Sequence, residues 1–155
     1  MTLHGLIRDI SNINQMDLLS AWEWKLEKKM KIVMITNLGD LFLQDKEGSI
    51  FWLLTDGGDL KKIADSYSQF QQMLLDEEMI DNWCLPLLIE KFLTAGMTLN
   101  ANEVYSTLKM TVLGGTYDVS NFKPTDMSVH FQFTGVICEQ IKDLPDGTVV
   151  NIKVV

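Results

Sequence analysis

Two histidines, His4 and His130, and two cysteines, Cys84 and Cys138, are the imidazoles and thiols that this 155-residue chain can bring to chemistry. An imidazole near its ordinary pKa suits general acid–base work only when a partner orients it. Neither histidine sits in a motif. His130 falls in the alternating run Met127-Ser128-Val129-His130-Phe131-Gln132, where a hydrogen-bonded or surface histidine is expected rather than a base. The cysteines form no C-x-x-C pair and no Cys/His ligand cluster, so zinc and redox motifs are missing from the sequence. Apolar neighbours (Trp83 and Leu85, Ile137) fit two buried free thiols in a reducing compartment, with a disulfide between them as the alternative.

No G-x-S-x-G, H-E-x-x-H, phosphate-loop or dinucleotide fingerprint occurs. Gly57-Gly58 and Gly114-Gly115 are small enough to wrap a phosphate, but Asp56 and Asp59 flank the first pair and repel anions. Both pairs read as turns. Asp40, Asp45 and Glu47 surround one hairpin. A calcium loop needs an ordered oxygen series closed by a glutamate, which these do not supply, so a solvated turn is expected. Spacing alone does not show that any two carboxylates converge for hydrolysis. The reading is therefore of a protein that is no enzyme, with no catalytic, cofactor-binding or metal-ligating residues and no cofactor.

Surface charge carries more information. Lys plus Arg number 13 and Asp plus Glu 21, for a net charge of −8. Nucleic-acid and membrane-surface binding both need a basic face, so neither partner is expected. Asp76, Glu77, Glu78 and Asp81 form a compact acidic run, with Asp56 and Asp59 upstream. Such a run caps a helix and keeps a protein soluble, or it meets a basic partner. These six residues are the candidate partner contacts. Trp24, Trp52 and Trp83 are candidate aromatic anchors, and core packing is the other reading of each.

The elements that would position these groups follow from periodicity. Residues 16–26 read as a helix on the spacing of Leu19, Trp22 and Leu26, with Lys25, Lys28, Lys29 and Lys31 near its end. Strands are expected over 31–36, 40–44 and 49–54, joined by Leu38-Gly39 and the turn Asp45–Gly48 into a three-stranded antiparallel meander. Val33, Ile35, Phe42, Phe51 and Leu53 would face the core. Asp59 is expected to cap a helix whose stripe is Leu60, Ile63, Ala64, Tyr67, Phe70, Met73 and Leu74. A helix opens at the acidic run, and another runs from Pro86 to Ala95 before Gly96. Residues 105–109 suggest a strand, 113–117 a bend, 127–132 a strand or a helix start, 134–144 a helix and 149–154 a strand. The order suits one domain over 1–155 of the α+β class: a mainly antiparallel sheet, made of the N-terminal three-stranded meander plus C-terminal strands, with helices packed on it. Met1–Asp9 lack a signal peptide's apolar run, so a cytoplasmic protein is expected.

Several phrases stand in a recognisable order. One block is Asn37-Leu38-Gly39-Asp40-Leu41-Phe42-Leu43-Gln44-Asp45 with Gly48, then Gly58-Asp59-Leu60 and Ala64-Asp65-Ser66. The other is Leu113-Gly114-Gly115-Thr116-Tyr117 with Asn121, then Gly135 to Gln140 and Asp143-Leu144-Pro145-Asp146-Gly147-Thr148. Over about residues 20–150, with 1–15 as an extension, they resemble the C-terminal domain of the Tdi-type immunity proteins of the bacterial type VI secretion system. The resemblance implies a role in interbacterial competition, in which a cognate toxin, a DNase effector for the family's namesakes, is bound and neutralised without catalysis. An acidic inhibitor suits that task, because a nuclease's basic phosphate-binding face accepts a phosphate-like array of charge. The alternative is a small-ligand or regulatory binding domain of the same fold, which would show a deep pocket with convergent polar groups. A hydrolase working through an unmarked carboxylate pair is the third possibility.

Overall fold

The computed structural model describes residues 1–151. Its frame is a four-stranded antiparallel meander, β1 (Lys31–Ile35), β2 (Leu41–Gln44), β3 (Ile50–Leu54) and β4 (Asp59–Ala64), in the spatial order β1-β2-β3-β4. The first three strands are those expected. The turn between β2 and β3 closes because the Asp45 carboxylate accepts hydrogen bonds from the backbone N–H groups of Glu47 (3.1 Å) and Ser49 (2.9 Å).

The fourth strand corrects the sequence reading of Asp59 as a helix cap. Asp59 instead pairs with Leu54, and Leu60 with Leu53. The apolar spacing at Leu60 and Ile63 belongs to a half-exposed edge strand, whose Lys61 and Lys62 face solvent. Pairing with β3 overrides the local helical periodicity. The helix starts only after this, as α1 in the second half of the stripe (Tyr67–Met73), where Ser66 accepts the Gln69 N–H at 3.1 Å as N-cap.

Both faces of the sheet are covered, so its strands lack the polar alternation of a half-solvated antiparallel sheet. Leu41, Phe42 and Leu43 are all fully buried in succession. Leu41, Leu43 and Leu53 face one cluster, built with Leu18, Trp22 and Phe131. Phe42, Ile50 and Trp52 face the other, built with Phe70, Trp83, Ile89 and Phe92. A bulge between Ile32 and Met34 shifts the β1 register, which leaves Val33 half-exposed, and Phe51 is half-exposed as well. Ile35, Phe42 and Leu53 are buried as expected.

On the second face, α1 leads to α2 (Glu77–Cys84) and α3 (Pro86–Thr94). Asp76 caps α2 by accepting the Glu78 N–H at 2.9 Å, and Pro86 occupies the first turn of α3, where its missing N–H costs nothing. Between the two helices Leu85 takes a left-handed backbone, φ 46°. On the first face lie a short N-terminal helix (Gln15–Leu19), a 3-10 turn (Ser20–Trp22) and the long helix α4 (Met127–Ile141). The expected helix over 16–26 thus tightens and stops early. Trp22 is fully buried under the sheet, and Trp24 stacks on it with ring centroids 5.8 Å apart. The segment 127–132 resolves as the start of α4, capped by the Asp126 carboxylate on Ser128 N–H at 2.9 Å.

A two-stranded antiparallel sheet, β5 (Glu103–Thr107) with β6 (Phe122–Asp126), completes the fold. Pro124 hides β6 from propensity, since proline is tolerated only on edge strands. The expected strand over 149–154 is not formed at Val149–Asn151, and its remainder lies outside the described residues. The fold is α+β with antiparallel sheets.

Helix α4 approaches the 3-10 turn so closely that a Cβ on Gly135 would lie 2.5 Å from the Ala21 carbonyl oxygen. Alanine is intrinsically the better helix former by about 1 kcal/mol, so in open space Gly135→Ala would stabilise the protein. We predict the opposite sign here: denaturant unfolding should show a loss of roughly 1–3 kcal/mol from overpacking.

Candidate functional site

The residues with the chemistry of a catalytic group converge, but inside the protein. His130, on α4, places its Nδ1 2.7 Å from the Ser106 hydroxyl of β5. Its Nε2 lies 3.0 Å from the Gly39 carbonyl and 3.1 Å from the Thr55 hydroxyl. A neutral ring protonated at Nε2 satisfies this network: it donates to Gly39, and Nδ1 accepts from Ser106. Burial pushes the His130 pKa down to about 4, against the opposing pull of the Gly39 carbonyl. Asp40 accepts the Thr55 N–H at 3.1 Å, and burial, with Asp56 nearby, pushes its carboxyl up to about 7. Ser106, His130 and Thr55 are all buried, so this hydroxyl–imidazole pair faces protein rather than a substrate. Its work is to tie the β1–β2 turn, the end of β3, β5 and α4 together. A Cβ on Gly39 would overlap the His130 ring, and Gly39 also holds φ +80°, which explains a glycine at this point of the motif.

The two cysteines are free and buried, and burial pushes both thiols up to about 12. Among the described residues no group of three His, Cys, Asp or Glu side chains is placed to hold a metal ion. No helix among them is long and apolar enough to cross a membrane.

The six candidate acidic residues divide. Asp76, Glu77, Glu78 and Asp81 are exposed together at the start of α2. Glu77 and Asp81, one helical turn apart, border a groove of about 820 Å³ between the N-terminal segment, α2 and the start of α3. The floor and walls are apolar: Leu3, Leu74, Ile80 and Leu88 line it, with Leu75 and Leu87 at its mouth, 78% and 73% exposed. Glu90 and Lys91 complete the rim. Asp59, at the start of β4, lines a different cleft beside Trp24. Asp56 is half-buried and engaged internally, accepting hydrogen bonds from the Thr111 N–H (3.1 Å) and the Thr111 hydroxyl.

The aromatic anchors also resolve. Trp52 and Trp83 are core, Trp52 stacked on Phe42 and Trp83 packed at an angle against Phe42 and Phe70, and Trp24 alone of the three is half-buried at a cleft. The apolar half of the groove escaped the sequence reading. Leu75 and Leu87 carry no periodic signal, although Leu75 directly precedes the acidic run and Leu85-Pro86-Leu87-Leu88 is more apolar than a surface helix start needs.

Half-buried Asp40 and buried His130 make opposite contributions to pH dependence. A carboxyl with a raised folded pKa adds stability at acid pH that disappears as pH rises through about 7; a histidine with a lowered one adds stability above its unfolded value that disappears as pH falls towards 4. Asp40→Asn keeps the oxygen that accepts the Thr55 N–H but cannot ionise. Its melting temperature relative to the parent should rise by roughly 5–10 °C between pH 5 and pH 8. A constant offset would show that Asp40 does not titrate there.

Residues 64–138 match the family model described as T6SS immunity protein Tdi1, C-terminal. The match runs from the end of β4 to within α4, inside the span over which the sequence motifs resemble that family. No curated protein sequence matches the chain.

Proposed function

We propose that the chain acts as an immunity-type protein in the cytoplasm of the producing cell, its 155 residues working as one domain. It binds a cognate bacterial toxin with a basic surface, in our reading one of the DNase class, and covers the toxin's active or substrate-binding face. The observation that carries this reading is the meeting, at one groove, of the exposed carboxylates of Glu77 and Asp81 with exposed leucines, Asp76 and Glu78 standing beside them on the same helix start. Carboxylates at the rim steer and select a basic partner, while apolar side chains that lose water on docking supply affinity. Leu75 and Leu87 are the anchors in this arrangement, and Glu77 and Asp81 the charged rim, with Glu78 next to them on the helix. Asp76 adds charge beyond its cap. Asp59 and Asp56 would take part only if the toxin also reaches the Trp24 cleft. Occlusion asks for complementarity and slow dissociation, not for a reactive group.

The test is co-purification and binding with the product of an adjacent effector gene. Combining Glu77→Lys, Glu78→Lys and Asp81→Lys with Asp76→Ser, which preserves the cap, should weaken binding by about 100-fold or more, mainly through slower association, with a fall of only a few degrees in melting temperature from the lost helix-dipole contacts. Leu75→Ser with Leu87→Ser should accelerate dissociation at least about tenfold. Affinity untouched by either set would remove this face from the mechanism, and no binding by the parent chain would remove the immunity reading itself. Asp59→Lys, measured alongside, reports whether the contact extends to the second cleft.

A further inference from the structure

Lysine is in the minority in this chain, yet three lysines line one cleft. Lys25 follows the 3-10 turn, Lys109 lies between β5 and the next turn, and Lys142 follows α4; together they border a cleft of about 820 Å³. None of the three is ion-paired among the described residues, although Asp59 and Asp146 border the same cleft. Three ammoniums without ion-pair partners around one cleft offer an anion that enters it favourable charge on several sides.

The supports of these lysines are fixed. Trp24 donates its indole N–H to the Gly135 carbonyl at 3.2 Å and stacks on fully buried Trp22, so the ring is held in one orientation. The ammoniums of Lys25 and Lys142 lie 5.8 and 5.3 Å from the centroid of that ring. The Lys109 backbone is clamped on both sides by Asn121, which accepts its N–H (2.9 Å) and donates to its carbonyl (2.8 Å). The Lys109 ammonium lies 3.6 Å from where a Cβ on Gly114 would stand, close over bare backbone.

We propose that this cleft binds a small organic anion carrying two or more phosphate groups, the phosphates meeting Lys25, Lys109 and Lys142. Lysine ammoniums act as point charges that suit phosphate without imposing the planar fork of an arginine site. The cleft's volume falls in the range of small-ligand sites. The ligand is a compact one because the chain as a whole carries −8, which opposes an extended polyanion running out past Asp59 and Asp146. The site is independent of the α2 groove, and the proposal does not rest on the toxin reading.

Binding of tripolyphosphate and of a nucleoside triphosphate to the full chain, followed at low ionic strength by calorimetry and amide NMR, tests it. Sub-millimolar binding is expected, with shifts concentrated at Trp24, Lys25, Gly58, Lys109, Gly114 and Lys142, and it should weaken steeply as salt is raised. The variant combining Lys25→Gln, Lys109→Gln and Lys142→Gln alters exposed or half-exposed ends, so its melting temperature should hold while affinity falls at least about tenfold. No binding of either probe by the parent, or undiminished binding by the triple variant, overturns the proposal. Tighter binding of a short single-stranded oligonucleotide than of the nucleoside triphosphate overturns it in favour of a nucleic-acid surface.

Discussion

The imidazole of His130, lying on the bare backbone of Gly39, is the contact on which the architecture turns. A buried ring of this kind is tolerable only if each nitrogen finds a partner, and here the partners come from a turn, a strand end and a second sheet. The same bonds that satisfy the ring therefore set the position of α4 relative to the four-stranded sheet and to β5. Once α4 is in place it covers one sheet face, Gly135 admits the 3-10 turn, and the cleft at Trp24 takes shape between them. Polar groups inside a core are costly when half-satisfied and specifying when fully satisfied, and this network is of the second kind.

Local sequence made some of this legible. Strands β1 to β3 announced themselves through β-branched and aromatic runs punctuated by Gly39 and Gly48, and Pro86 and Gly96 marked the ends of α3. β4 was misread because Leu60 and Ile63 fit a helical stripe as well as they fit an edge strand that packs Leu60 on one face and Ile63 on the other; only the long-range pairing with β3 decides. β6 was hidden by Pro124. Helix α4 was detected in its second half and left open in its first, where Val129 and Phe133 face outward and dilute the apolar signal. Among candidate site residues, charge was readable and geometry was not. Asp76, Glu77, Glu78 and Asp81 sit together because they fall within the first turns of one helix, whereas Asp56 and Asp59, also close in sequence, end in different surroundings because one turns inward to Thr111.

Charge in this protein is distributed by kind. The acidic excess is concentrated at helix starts and turns, where it also serves the backbone as caps, as Asp76, Asp126 and Asp45 do. The lysines that are free of ion pairs at the Trp24 cleft lie on segments brought together only by folding. One surface therefore offers carboxylates beside exposed leucines, and another offers ammoniums beside an indole. Net charge alone describes neither.

The two rims of the four-stranded sheet are treated differently. Along β1 the N-terminal segment runs close, with Arg8 donating its N–H to Ile35 and Asn37 donating to Leu6. Along β4, the outward residues include Lys61 and Lys62, whose charges repel a second copy's strand brought alongside. With one rim occupied and the other carrying charge, neither margin of the four-stranded sheet offers a second copy an unguarded strand. The margins of this sheet thus discourage pairing between copies, a property of its edges and not of its core.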